Sequence, residues 1–566
     1  MNKIDISNSN ISIGSHTLDI YAIDRIGNTS NAISINIVKP KVFNVKDYNA
    51  KGDGITDDTQ AVRNTIEEAK SYSDNNIITV IYFPTGVYLI KQFKIHSNMY
   101  LIGDGINRTK LIRFVDRSRD SLYDSGTFTL RSDLPKESAG DSSWFKSFIT
   151  NYDFRNNRTD PINSYTNYNI GIKNMTINGN GYSFNLNDDE NHNNMLLKFK
   201  NCKHIIIDNV RLEDSMNWSL DLRGSKYINI GYIEIEGNTQ RDIGRVNDRN
   251  NQDGINMHGV NNAVIDRVIV YESYDDSMFI GAAIVGPSDR PDLWVPNPAF
   301  NITVNYLEVY RQVGTGHALA ITSECLEGCD VYNVHIKHVK LHNLGQRGMI
   351  ILHYSNYKDT PEGEGRGIIH DIQIDKIESY GYSKGTLMDH PMPLLRITSR
   401  PSIPYAETGK YNNKKFYNIH IKDIYADFQQ PLYSREDPTT DKQIGIVLEN
   451  VQHVIIDNAT LINKNNQRYV FDFVKSSDIT VNNSYIRNNQ PGGWSLMRMK
   501  DTQDVTIYTT IPYISGTIKQ GGAALRVEGD SRNITVYYRE LQTARTISFA
   551  DDVPLDNRST IRLIQI

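Results

Sequence analysis

Residues 203–233, KHIIIDNVRLEDSMNWSLDLRGSKYINIGYI, carry one phrase twice. A polar residue leads, apolar residues follow at alternate positions, and after a break comes one more. His204 leads Ile205, Ile207 and Val210, and Tyr227 leads Ile228, Ile230 and Ile233. Alternation at period two marks a strand, and the break before Val210 bends the chain into a further strand. The phrase first occurs as KNMTI at Asn174. It returns led by Asn262, Asn301, Asn333, Asp371, Asn418, His453, Asp478, Asp504 and Asn533, at intervals of 23 to 47 residues. A unit that cannot bury its apolar side alone must stack on its neighbours. Helical periodicity is missing after residue 70. The expected fold is therefore all-β, a right-handed single-stranded parallel β-helix. The surplus residues become loops, and the largest insertions, between Asn262 and Asn418, are expected to line a binding cleft.

Composition bounds the rest. The chain has 566 residues, long for one compact domain but ordinary for a repeat architecture. Hydrophobic content of 39% and charged content of 22% place it among globular chains. A net charge of −5 gives no case for a nucleic-acid partner. No apolar run approaches a membrane span, so no membrane insertion is expected. Cys202, Cys325 and Cys329 are too few for a disulfide framework. Cys325 and Cys329 could pair, and Cys202 reads as a small core residue. The opening MNKIDISNSN lacks the pattern of a secretory signal. Two explanations stand: the mature chain starts here, or the protein reaches the outside by another route, as a virion component does. Either way the expected location is extracellular or virion-associated, with a homotrimer expected for a virion spike.

Ahead of the repeats lie two further segments. In residues 1–39, Leu18, Ile20 and Ala22 alternate, Gly27-Asn28 offers a turn, and Ile33, Ile35 and Ile37 alternate again, which predicts a hairpin. The phrase HTLDIYAIDRIGNTSNAISINIV resembles the closing strands of bacterial immunoglobulin-like modules, here a partial one, with Lys39-Pro40-Lys41 as linker. The β-helix domain then spans residues 42–566. Asp57 or Asp58 can cap a helix with Ala61, Val62, Ile66 and Ala69 on one face. This run, with IITVIYFPTGVYLI after it, resembles the entry segment of β-helix proteins that act on polysaccharides, in which a helix covers the open end of the core. Residues 115–168 show no period and read as a long loop.

Residues 251–277, NQDGINMHGVNNAVIDRVIVYESYDDS, hold the candidate chemistry. Asp253 and Asp275 lie 22 residues apart, about one coil, with Asp276 adjacent. Coils stack at about 4.8 Å, so the three carboxylates are expected on one face. Carboxylates crowded together repel, and one then keeps its proton while another stays ionised. That is what acid/base cleavage of a glycosidic bond requires. Residues 196–323 resemble the polygalacturonase family of glycoside hydrolases, family 28, with its pectin-lyase-like β-helix. NQDGI (Asn251 to Ile255), YDDSMFI (Tyr274 to Ile280) and GTGHALAITS (Gly314 to Ser323) stand where that family has Asn-Thr-Asp-Gly, Gly-Asp-Asp-Cys and Gly-His-Gly. The resemblance implies an inverting glycosidase. Asp275 would be the general acid, Asp253 and Asp276 would activate the attacking water, and His317 would lie near the acid. Asn251 would belong to the substrate site.

One departure concerns the substrate. The family's Arg-Ile-Lys, which holds the galacturonate carboxylate, aligns with Ile350 to Leu352, placing Ile350 and Leu352 at the cationic positions. Arg347 or Arg396 could replace that grip, and Tyr354 and Tyr357 could stack on sugar. The substrate is then a pectic or another surface glycan. Two alternatives remain open, a phage tailspike-type glycan-binding depolymerase and a calcium-dependent polysaccharide lyase. No pyrophosphate loop, zinc-ligand spacing or Ser-His-Asp pattern is present, and no cofactor or metal is expected.

Overall fold

In the computed structural model, residues 12–20, 26, 30–31, 33–114, 147–151, 165, 167–180, 195–215, 217–237, 253–273, 275–285, 295–310, 316–324, 326–344, 350–354, 367–382, 394–401, 414–428, 445–463, 469–488, 496–511, 524–539 and 547–566 are described. They form a right-handed parallel β-helix. One wall is a 14-stranded sheet running from Phe93–Ile95 to Ile547–Phe549. Each coil contributes a short strand to it, such as Leu220–Arg223, then a long strand such as Lys226–Glu236 that bends across the other walls. Adjacent coils pair in parallel, with Ile205 on Ile228 and Ile230 on Ile265. The inward column Leu197, Leu220, Ile255, Met278, Leu319, Ile350 and Leu395 is wholly buried.

The polar leaders of the repeat have a backbone cause. All twelve, from Asn174 to Asn533, have φ between 51° and 61°. A side chain with a Cβ resists this left-handed region, and Asn and Asp tolerate it best. Their side chains then bond along the stack: Asn333 Nδ2 donates to Asn301 Oδ1 (2.5 Å), and Asn301 Nδ2 to Asn262 Oδ1 (3.1 Å). One copy was out of phase. Asn169, not Asn174, stands beside His204; Asn174 sits at the next bend and accepts from Asn209 Nδ2 (2.9 Å).

The N-terminal hairpin forms as Gly14–Ile20 antiparallel to Ile33–Lys39, with Leu18 opposite Ile35. The helix Thr59–Ser73 forms, and Val62, Ile66 and Ala69 join the same core as Ile81 and Phe83. Its first turn is capped by Asp57, whose Oδ1 accepts from Thr59 N (3.0 Å). The carboxylate of Asp58 turns back onto Lys51 N (2.6 Å) and Gly52 N (3.0 Å). The expected loop 115–168 is interrupted by strand Ile149–Asn151, which joins the 14-stranded wall between Phe93–Ile95 and Leu197–Lys200. Cys202 and Cys329 are buried; Cys325 lies outside the described residues.

Candidate active site

The 14-stranded wall brings the sequence motifs together. Ile255 pairs with Met278, and Phe279 pairs with Ala320. Counting back along each strand puts Asp253, Asp276 and His317 in one column at its edge. The coil is 23 residues here, one more than expected, so Asp276 rather than Asp275 is the neighbour of Asp253. Asp276 N donates to Asp253 Oδ1 (3.1 Å), and Asn256 Nδ2 donates to Asp253 Oδ2 (2.5 Å). Asp276 Oδ1 in turn takes His317 N at 2.7 Å and lies 2.9 Å from His317 Nδ1. Asp275 stands beside this column, opposite Gly316. A Cβ at Gly316 would collide with the Asp275 main chain and carboxylate, so the Gly-His pair reads as a packing requirement as well as a motif.

Burial differs across the trio. Asp253 is 6% exposed, whereas Asp275 and Asp276 are half-buried. Loss of water, then the charges of Asp275 and Asp276, push the Asp253 carboxyl well above the usual carboxylate range. His317 is 6% exposed, and its Nε2 has no hydrogen-bond partner among the described residues.

Sequence reasoning missed a second group on the outward face of the same wall. Lys198, Asp221 and Asn256 share one row, and Lys200, Arg223 and His258 the next. Lys198 Nζ and Asp221 Oδ2 are 3.2 Å apart and both fully buried. Burial pulls the Lys198 ammonium down to about 7. Asp221 stays ionised: burial opposes this, but the Arg223 and Lys198 cations outweigh it, and Arg223 Nε sits 3.0 Å from Asp221 Oδ2. His258 is held down to about 3 by burial and then by the Arg223 cation, so its ring is neutral. Around it lie Trp218 (ring centroids 5.4 Å) and Phe279 (4.7 Å), and the Arg223 guanidinium lies 5.2 Å from the Trp218 ring. The signal was there in LKFK, LDLR and INMH, where polar residues alternate with core residues in one register.

Some candidates fall elsewhere. Asn251, Arg347 and Tyr357 lie outside the described residues, as does the side chain of Tyr354, whose backbone ends strand Ile350–Tyr354. Arg396 is on the wall's outward face and donates to Glu449 Oε2 through Nε (3.1 Å) and Nη2 (2.8 Å). The alignment of the cationic pair was one residue out. Ile350 and Leu352 point into the core, fully buried, and the outward positions of that strand are Ile351 and His353. His353 Nε2 lies 3.0 Å from Thr322 Oγ1. Among the described residues no group of three His, Cys, Asp or Glu side chains is arranged to hold a metal.

Residues 42–287 match the family model described as rhamnogalacturonase A/epimerase, pectate lyase-like. The matched segment, which forms parallel β-helix coils, includes Asp253, Asp275 and Asp276. Alginate lyase 7 of Azotobacter vinelandii is 37% identical over 82 residues, 13% of this chain and 9% of that protein. Mannuronan C5-epimerase AlgE3 of the same organism is 28% identical over 132 residues, 20% of this chain and 7% of that protein. The matched stretches thus span less than a tenth of these relatives' own length. Among solved structures, the family 28 exopolygalacturonase of Yersinia enterocolitica aligns at a TM-score of 0.46 and 14% identity, covering 87% of this chain and 83% of that one. Bacteriophage phi29 gene product 12 aligns at 0.48 and 13%, covering 92% and 56%.

Proposed function

We propose that this chain is a polysaccharide-acting enzyme that hydrolyses a glycosidic bond with inversion, using Asp253, Asp275 and Asp276. The observation that carries this is the single column of Asp253, Asp276 and His317, with Asp275 beside it. Loss of water, then the charges of Asp275 and Asp276, raise the Asp253 carboxyl in the free enzyme. Asp275, more exposed, hands a proton to the leaving oxygen. Asp276, fixed by its two contacts to His317, orients the attacking water with Asp253 and takes its proton, as the water oxygen bonds to the anomeric carbon and the bond to the leaving oxygen breaks. Inversion needs carboxyl groups about 6.5–9.5 Å apart to admit that water, against about 5–5.5 Å for a covalent route. The substrate is a pectic or other surface glycan, met outside the cell by a secreted or virion-borne chain. Digestion of a polysaccharide panel tests this: new reducing ends should appear, and proton NMR should show the first-formed sugar with the opposite anomeric configuration. Retained configuration, or no new reducing end from any polysaccharide, would overturn it.

A second reading, elimination or epimerisation of a polysaccharide, draws on the comparisons. The family description includes an epimerase, and alginate lyase 7 and AlgE3 are partial relatives. Elimination would give an unsaturated product absorbing in the ultraviolet. Epimerisation would incorporate solvent deuterium without shortening the chain.

A further inference from the structure

Asn256 is an outward residue of strand Ile255–His258, between Ile255 and Met257, which are fully buried in the core. It is itself 1% exposed, and the register sets it between Asp221 of the preceding coil and Phe279 of the next. Its Nδ2 donates to Asp253 Oδ2 (2.5 Å), while Asp276 N donates to Asp253 Oδ1 (3.1 Å). Each oxygen of the Asp253 carboxyl thus receives an N–H, an arrangement that suits the ionised form. The two donors differ in kind. The Asp276 main chain is fixed to the preceding coil, its carbonyl accepting from Gly254 N (2.9 Å), and its N–H cannot turn away. A side-chain amide can turn over and present its oxygen instead. A proton arriving at Asp253 therefore goes to Oδ2, where it needs the amide reversed.

We infer that Asn256 is the positioning residue that lets Asp253 ionise: its amide donates to the carboxylate and reverses to accept from the carboxylic acid, so that gain or loss of the Oδ2 proton is coupled to one buried side chain. Its consequence for activity rests on reading the aspartates as a glycan-cleaving site. The charges that face Asp253 are Asp275 and Asp276 from the next coil, with His317 against Asp276 one coil further on. In the preceding coil Asp221, in register with Asn256, is paired with Lys198 and Arg223. Burial and then the two neighbouring aspartates raise the Asp253 carboxyl; what opposes them is the Asn256 amide and, after it, the Asp276 N–H. In hydrolysis the ionised Asp253 accepts one O–H of the attacking water, while Asp276 takes the other proton. Asn256 acts through Asp253 and holds it ready for that.

Asn256→Leu tests this, because leucine has nearly the shape of asparagine and no donor; Asn256→Ala gives the same comparison if the leucine variant does not fold. Melting midpoints are followed from acid to neutral pH in the parent, Asn256→Leu, Asp253→Asn and the double variant. Without the amide, ionisation of Asp253 costs the folded state more, so Asn256→Leu should fall further below the parent as pH rises. That widening should disappear where residue 253 is Asn and has no proton to lose. On a polysaccharide that the parent cleaves, the acidic limb of kcat/KM should move up by about one to two pH units, the equivalent of one hydrogen bond to a charged group. Asn256→Gln, which keeps an amide, should bring the limb back toward the parent. A stability loss constant with pH, or one whose pH dependence survives in the double variant, would overturn the coupling. An acidic limb that Asn256→Leu leaves unmoved, with cleavage retained, would overturn it and leave the aspartate roles standing. The widening and its disappearance in the double variant, with no cleavage of any polysaccharide, would support the coupling and overturn the hydrolase.

Discussion

Two stretches of the same 14-stranded wall use their outward charges in opposite ways. In the later coils the arginines are matched. Arg396 bonds Glu449, Arg498 bonds Asp472 through Nε and Nη2 (each 2.8 Å), and Arg526 Nε bonds Glu528 (2.5 Å). In the earlier coils, two cations share Asp221, three aspartates crowd one edge, and His258 Nε2, His317 Nε2, Ser323 Oγ and Glu324 Oε2 are buried without partners among the described residues. The backbone geometry is the same in both. Satisfied polar groups make a stiff rod, and on the proposed function the unsatisfied ones are where a substrate would complete the set.

The largest effect should come from the unsatisfied end. Asp275→Asn keeps the shape of the side chain but cannot donate an acidic proton. General acid catalysis contributes about 10²–10⁴-fold, so reducing-end release should fall by at least that order while the thermal midpoint stays within a degree or two. A folded variant with most of its activity would remove Asp275 from the acid role.

Next in size is the matched end. Arg498→Met leaves Asp472, 1% exposed, facing burial with one cation fewer. Removing one partner of a buried pair costs about 3–5 kcal/mol, so the melting midpoint should drop clearly with specific activity of the folded fraction unchanged. A drop in kcat without a drop in stability would mean that the later coils are not merely structural.

A crowded carboxylate and a well-partnered one should also respond to pH with opposite sign. Asp253 is raised by burial and then by Asp275 and Asp276, so the folded state binds its proton more tightly than the unfolded chain, where Asp titrates at about 3.9. Its ionisation costs stability as pH rises above about 4. Asp253→Asn should therefore melt near the parent at pH about 4 and above it at neutral pH, while losing activity. Glu308, on the neighbouring wall, is the reverse. Burial pushes it up, but His342, Tyr306 and Lys340 outweigh that and bring it down to about 2. Its contribution is full above the unfolded value of about 4.3 and fades as pH falls toward about 2. Glu308→Gln should be less stable than the parent at pH 7, with the gap closing on acidification. Parallel rather than opposed pH profiles would break the contrast.

The fold was legible because the leader residues report backbone conformation directly. A left-handed φ at each bend selects Asn, Asp or His at every leader but Tyr227, and inward alternation supplies the rest. The aspartate site was legible as a set, but its register was not. Whether Asp275 or Asp276 faces Asp253 depends on one residue in an irregular bend, and no periodicity fixes that. The same slip turned Ile350 and Leu352, core residues, into supposed surface positions. Lys198, Asp221, Arg223 and His258 read as ordinary polar alternates, because their importance lies in burial, and burial on the outward face comes from neighbours such as Trp218.

The smallest effect tests the bends themselves, away from either charged region. Asn333 has φ of 52° and its Nδ2 donates to Asn301 Oδ1 (2.5 Å) on an exposed flank. Asn333→Ala loses that bond and keeps a Cβ in the left-handed region without the short polar side chain that lets Asn tolerate it, a conformation that costs roughly 1–2 kcal/mol for an ordinary residue. Asn333→Gly loses the same bond but adopts the conformation freely. If backbone conformation is why polar residues lead the repeat, the alanine variant should melt lower than the parent and the glycine variant should recover most of that difference, with glycan cleavage equal in all three. Equal destabilisation by alanine and glycine would assign the leaders' importance to the side-chain ladder, because the shared loss in both variants is the Asn301 bond.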